Sequence, residues 1–411
     1  MKLALPLVLQ EDLATSRGIV SFFAKDDSTA YEGQATEILR IVIEDRNGKL
    51  RLEAAVTDPQ TQRNQQVISI EEDSAAGILP VANQLAKRID PRAGNFPTKS
   101  LRALKTFTSA AGTQDLSQRL QLLTEAVSAD PAFGLAHIAL IETAAQVAPQ
   151  SLPSLVAAGT TRHDQFAPLE RARWNALVAR YSHAPLQQQA DTAAAVLKIA
   201  PHNIDALATL GANRFLQGNG TEGERFLRQA IALSPANINL PLQLANGLIE
   251  SKRFSDAIAV LKPLSSNASA IPALAVATLL SGKTKEATTI FQNLVNLLPP
   301  GSTEANFLRA QWEAICTGKK TLSLLSSTTS ATPGYSAFLS GQFEEAVQLW
   351  QNIVQQTGDA DLRARAMLAA SLHGAGRTAD ANKIVVMPFV PDLRDVGIGI
   401  AFNQMRQWLR L

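Results

Sequence analysis

Residues 204–235 read IDALATLGANRFLQGNGTEGERFLRQAIALSP, and this stretch decides the fold. Leu207, Leu210 and Gly211, then Leu227 and Ala230, and last Pro235 fall in the order of two amphipathic helices joined by a turn. The next segment repeats the plan, with Leu244 and Ala245 followed by Ala257, Leu261 and Leu264. Leu210 to Leu244 and Leu227 to Leu261 are both steps of 34 residues. Small residues at Gly211 and Ala245 let the paired helix approach closely. Pro235 stops the second helix because it lacks an N–H and clashes with the preceding turn. A unit of this kind cannot bury its apolar face alone, so it must stack on neighbours.

Weaker copies extend in both directions. Downstream, Ala287, Phe291, Leu294 and Pro299 carry a further second-helix pattern. Residues 303–316 with 320–328 read as a degenerate pair, and Ser326–Pro333, rich in Ser and Thr, as the loosest stretch. Ala346 and Trp350 mark a later second helix, and Leu368, Ala369, Leu372 and Ala381 a final repeat. Upstream, Trp174, Leu177, Val178 and Tyr181 predict a first helix, completed by Ala190, Leu197 and Pro201. Ala136, His137, Leu140 and Ile141 open an earlier pair with its return helix near 152–162, and the first pair spans 98–130. The period and the order of small and apolar positions resemble the tetratricopeptide repeat. That resemblance implies an all-α solenoid over residues 98–390, with residues 391–411 as a capping helix.

Residues 1–90 follow a different grammar. Asp45-Arg46-Asn47-Gly48 separates two arms whose apolar residues alternate, Leu39, Ile41 and Ile43 against Leu50, Leu52, Ala54 and Val56. Asn-Gly between alternating runs is the strongest short hairpin signal. Asp58-Pro59-Gln60-Thr61 makes a second turn and 66–70 returns as a strand; Gly18–Phe23 also has strand character. Ser74–Ile89 reads as an amphipathic helix with Ile78, Val81, Ala82, Leu85 and Ile89 on one side. A small α+β domain of three or four strands is expected at 1–90, and residues 91–97, with two prolines in 91–97 and Gly94, as a linker.

The bulk numbers agree with stacked helices: 46% hydrophobic residues but only 5% aromatics. Lys and Arg exceed Asp and Glu by two, and no basic run occurs, so nucleic acid is not an expected partner. Cys316 is the only cysteine, which excludes an internal disulfide and a cysteine-based zinc site and suits the cytoplasm or the periplasm. Leu3–Leu9 is a short apolar run followed by Glu11 and Asp12 without an A-x-A site, so it reads as a buried helix or strand rather than a signal peptide. No stretch approaches the length needed to cross a bilayer, and a soluble chain is expected.

The strings Tyr31-Glu32-Gly33-Gln34-Ala35 and Leu50-Arg51-Leu52-Glu53-Ala54-Ala55-Val56-Thr57-Asp58-Pro59-Gln60-Thr61 resemble a TolB-like amino-terminal domain. There a YVLEGSV-like strand leads to an RVTAQLIDAETG-like strand and turn. Ile78–Ile89 is similar to the helix that closes that domain. The family's opening strand has a VLPF-like core; here Leu3–Leu9 is its remnant or the chain begins inside the domain. The resemblance implies a bacterial signalling setting, because such domains precede repeats in proteins associated with transcription regulators, adenylate cyclases and kinases.

Chemical signatures are few. Gly282-Lys283-Thr284 ends like a phosphate loop, but Ala277 stands where its first Gly belongs and a helix precedes it, so it is read as an inter-helix turn. His137, His163, His183, His202 and His373 are scattered without metal-ligand spacing, and His137 is explained by packing. No G-x-S-x-G elbow occurs. No cofactor, no metal and no enzymatic activity are expected. The remaining candidate is the groove lined by first helices. Asn239, Gln243, Asn246 and Glu250 form a polar stripe at helical spacing, extended by Asn213 and Arg214 before it and by Arg309 and Trp312 after it. Amides both donate and accept, as an extended peptide requires. The function expected is a non-enzymatic scaffold for a protein or peptide partner; the alternative is a sensory segment of a larger signalling protein.

Overall fold

A computed structural model of the chain describes residues 4–182, 184–317, 334, 337–338, 340–357 and 362–384. The expected helix at 320–328, the stretch 326–333 and the capping helix at 391–411 lie outside the described residues.

The apolar run at the start is helical. In α1 (Ala4–Asp12), Ala4, Leu5, Val8 and Leu9 recur at helical spacing and are buried. Gly18–Phe23 is not a strand, contrary to its composition: it joins no sheet and leaves Val20, Phe22 and Phe23 exposed. Strand preference is a fit to a pleated, half-buried surface, and this run pairs with no strand of the sheet. In α2 (Asp27–Glu32) the Asp26 carboxylate accepts from the Thr29 N–H and caps the helix.

Asn47 and Gly48 have φ of 53° and 78°, so a two-residue turn of the primed type joins β1 (Ile38–Arg46) to β2 (Lys49–Thr57). β3 (Asn64–Asp73) returns antiparallel to complete a meander ordered β1-β2-β3. Ile41 lies opposite Ala54 and Ala54 opposite Ile68, which puts the alternating apolar residues on one face. α3 (Ile78–Ile89) covers that face, burying Leu79, Val81, Ala82 and Leu85 with Leu52, Ala54, Ile68 and Ile70.

From residue 101 the described chain is helix pairs. They run α4 (Leu101–Gly112) and α5 (Leu116–Ala129), α6 (Gly134–Val147) and α7 (Leu152–Thr160), α8 (Pro168–Tyr181) and α9 (Leu186–Ile199). Next come α10 (Ile204–Leu216) and α11 (Gly220–Leu233), α12 (Asn239–Glu250) and α13 (Phe254–Leu261), α14 (Ile271–Leu280) and α15 (Thr284–Val295), then α16 (Thr303–Thr317). Helices Phe343–Thr357, Leu362–Gly374 and Thr378–Ile384 follow. Ser100 and Asp115 cap α4 and α5 by accepting the free N–H groups of Ala103 and of Ser117 and Gln118. Gly282, at φ +86°, ends α14 in the left-handed turn that precedes α15, so Gly282-Lys283-Thr284 is an inter-helix turn.

Packing divides the described residues into two units, one within 4–182, 189–209 and 232–236, the other within 184–188, 210–231 and 237–384. In the first, the sheet and the opening helices share one interior that includes Leu52, Leu85, Leu104, Ala126 and Phe133. Ala93 and Phe96 are buried in it as well, so residues 91–97 turn the chain without opening a gap in the packing. In the second, a Cβ on Gly211 would lie 2.7 Å from Leu227 Cγ and 3.1 Å from the Gly223 carbonyl oxygen. Only glycine allows α10 and α11 to cross this closely, for the reason visible in the sequence pattern.

Candidate functional site

Helix α12 begins with Pro241 in its first turn, where a missing N–H costs nothing, and with the Asn237 side chain accepting from the Asn239 N–H at 3.1 Å. Leu240, Leu244, Ala245 and Leu248 are buried. Asn239, Gln243 and Asn246, at i, i+4 and i+7, are exposed along the opposite stripe. The side chains of Gln243 and Asn246 offer both donors and acceptors to solvent.

The other residues of the expected stripe have different surroundings. Glu250 continues the same helical line, yet it is only 6% exposed. Burial pushes its carboxyl up to about 7, against the pull of the Arg365 charge. Asn213 is buried, and its Nδ2 finds no acceptor among the described residues. Arg214 pairs with Glu222 at 3.0 Å and donates to Gln217 Oε1 at 2.8 Å, so its charge is spent within its own helix pair. Trp312 lies in the interior, its ring stacked on Phe291 at 4.5 Å and its Nε1–H donating to Thr288 Oγ1 at 3.1 Å. The expectation that Asn213, Glu250 and Trp312 line an open groove is corrected by this burial. Arg309 is exposed and donates to Asn306 Oδ1. The open residues of the stripe on α12 are therefore Asn239, Gln243 and Asn246. The next first helix, α14, is buried from Ile271 to Leu280 except at Pro272, and presents no such face.

A second constellation was invisible in the sequence pattern. In the first unit, Arg173 Nη1 on α8 donates to both carboxylate oxygens of Glu11 on α1, at 2.7 and 2.8 Å. Beside them Glu170 is buried and accepts from the N–H groups of Leu135 and Ala167 at 2.7 and 3.0 Å. Burial raises Glu170 to about 7 despite these bonds. Burial, then the charge of Glu11, raises Asp12 likewise to about 7, and neither of its carboxylate oxygens has a hydrogen-bond partner among the described residues. Perturbed carboxylates can mark a reacting site. Here the geometry ties the amino-terminal helix to a repeat helix instead. Glu11 and Arg173 are 162 residues apart, and no local spacing could have linked them. His137 proves a core residue: it is buried against Phe166 and Trp174, burial lowers its pKa, and Nε2 lies 3.1 Å from the Pro131 carbonyl oxygen. Among the described residues no cluster of three or more His, Cys, Asp or Glu side chains could hold a metal ion, and no helix is long and apolar enough to cross a membrane.

Residues 214–277, which contain α11 to α13 and most of α14, match the tetratricopeptide repeat family. This stretch is thus similar to a tetratricopeptide array, and the chain also carries the three-stranded sheet of residues 38–73. Repeats of this class mediate protein–protein interaction. No curated protein matches the chain significantly in sequence. Among solved structures, a tetratricopeptide repeat protein from Parabacteroides merdae is similar at 11% identity and a TM-score of 0.40, covering 66% of this chain and 97% of its own. The tetratricopeptide domain of P58(IPK) is similar at 11% identity and a TM-score of 0.22, covering 76% of this chain and 99% of its own.

Proposed function

We propose that this chain is a non-catalytic interaction scaffold that holds an extended segment of a protein partner along α12. The observation that carries the reading is the exposed amide stripe Asn239, Gln243 and Asn246 on the first helix of a pair within the matched repeats. An extended peptide needs alternating donors and acceptors for its backbone, and side-chain amides supply both. A neutral stripe suits a peptide without strong net charge. Each lost neutral hydrogen bond costs about 0.5–1.5 kcal/mol.

The amino-terminal module is read as TolB-like on the strings around Tyr31 and Leu50–Thr61, supported by the order hairpin, third strand, covering helix. The test of the scaffold reading is crosslinking capture of a partner by the full chain and by Asn239→Ala/Gln243→Ala/Asn246→Ala. The expected result is a partner bound by the parent and weakened at least about tenfold in the triple variant, which should remain folded. Equal binding by both would remove α12 as the site.

A further inference from the structure

We infer that β1 is a self-association edge, pairing antiparallel with β1 of a second copy about a two-fold axis through Val42. β1 is nine residues long and lies at the margin of the sheet. Natural edge strands are blunted by proline, charged side chains, bulges or short length. β1 has no proline or bulge and is not short, and its charges, Arg40, Glu44, Asp45 and Arg46, flank a centre of Ile41-Val42-Ile43, with Val42 60% and Ile43 39% exposed. The other edge is protected: the register shift at Val56/Thr57 disturbs β3, and β3 ends in Glu71-Glu72-Asp73.

The hairpin dictates how two β1 strands would meet. A two-residue primed turn is flanked by a hydrogen-bonded pair, here Arg46 and Lys49. Alternation then directs the backbone groups of Glu44, Val42 and Arg40 towards β2, and those of Asp45, Ile43, Ile41 and Leu39 outward. An axis through Val42 sets Ile41 against Ile43 of the second copy as a hydrogen-bonded pair, on the face that carries the core. It sets Arg40 against Glu44 of the second copy as a non-hydrogen-bonded pair, where side chains approach most closely, and symmetry makes this opposite-charge contact twice. Arg40 is paired with Asp27 at 2.9 Å and Glu44 with Arg46 at 3.1 Å; the Arg40 and Glu44 side chains are 43% and 42% exposed, so the contact with the second copy competes with these solvent-exposed pairs. The half-buried Ile41 gains cover from Ile43 of the second copy, while Leu39 meets Asp45, whose Oδ1 already accepts from Ser74 Oγ. β3 paired with itself would match no opposite charges in any such register.

The test is sedimentation of the full chain over a concentration series to about 100 µM, where even a weak specific interface is populated. The parent is expected to dimerise. Val42→Lys, which faces its own copy across the axis, and Glu44→Arg, which faces Arg40, should each weaken the dimer at least about tenfold. The exchange Arg40→Glu/Glu44→Arg should restore it. Amide exchange in the parent provides a reading free of any substitution: Leu39, Ile41 and Ile43 should slow with concentration while Lys25 and Asn267 should not. A parent that stays monomeric, a dimer indifferent to Val42→Lys, an unrescued charge exchange in a folded protein, or concentration-independent exchange at Ile41 and Ile43 would each overturn the inference.

Discussion

Helix α12 keeps Leu240, Leu244, Ala245 and Leu248 inside and Asn239, Gln243 and Asn246 outside, whereas α14 buries all of its residues but Pro272. Both are first helices of consecutive pairs, and both turn an apolar side to their partner. The difference lies on the far side. In α12 that side is amide and open until Glu250; in α14 it is Ala273, Val276 and Leu280, all covered. The one polar side chain in α14, Thr278, donates to the Leu274 carbonyl oxygen at 2.7 Å and asks nothing of its surroundings. A helix apolar on every side is interior by nature. A repeat plan therefore says which side meets the paired helix but leaves the far side free to be surface or core.

The comparison breaks most visibly under a charge placed on each far side. Val276→Asp buries an unpaired carboxylate and should cost about 4 kcal/mol or more, while Asn246→Asp should stay within about 0.5 kcal/mol. Urea unfolding of the two variants checks this, and equal costs would mean that α14 is open. Next comes the pairing side: Gly211→Val forces a Cβ against Leu227 and the Gly223 carbonyl and should cost about 1–3 kcal/mol by the same measurement. An unchanged midpoint would show that α10 and α11 can separate freely.

Glu250 marks where the α12 stripe passes from surface to interior, and pH sharpens that boundary. Its carboxyl is raised to about 7 in the folded chain, mainly by burial, from an ordinary 4.5. Between those values the folded chain holds a proton that the unfolded chain releases. Stability contributed by this group is thus present in acid and lost as pH rises through about 7. Glu250→Gln cannot ionise, so its advantage in melting temperature over the parent should be larger at pH 8 than at pH 5. A constant difference across that range would refute the burial of this carboxylate. A small effect is also expected of Thr278→Val, which keeps the shape and removes a hydroxyl that is satisfied within its own helix; a change below about 1 kcal/mol is expected in thermal melts.

Much of this molecule was legible because it is local. Asn47-Gly48 specifies a hairpin through the backbone conformations that these two residues tolerate, and the alternating Leu52 and Ala54 specify its buried face. The 34-residue step places Gly211 against Leu227 and ends pairs at Pro235. The site was legible only in part. Asn239, Gln243 and Asn246 are exposed as their polarity suggests, but Glu250 and Asn213 share that polarity and are buried. Trp312 lies one turn from the buried Ile315, and its place in the core was set by the ring of Phe291, which reaches it from the preceding helix.

The sequence by itself determined the helix pairs, the hairpin and their apolar faces, because periodicity and turn chemistry act over a few residues. Only the tertiary structure decided that α1 is tied by Glu11 to Arg173, that residues 91–97 are packed into the same interior as the sheet, and that the far side of α14 is covered. Those outcomes depend on which surfaces meet beyond the reach of a turn or a helical period, 162 residues apart for Glu11 and Arg173, and no local pattern encodes what will lie against a given face.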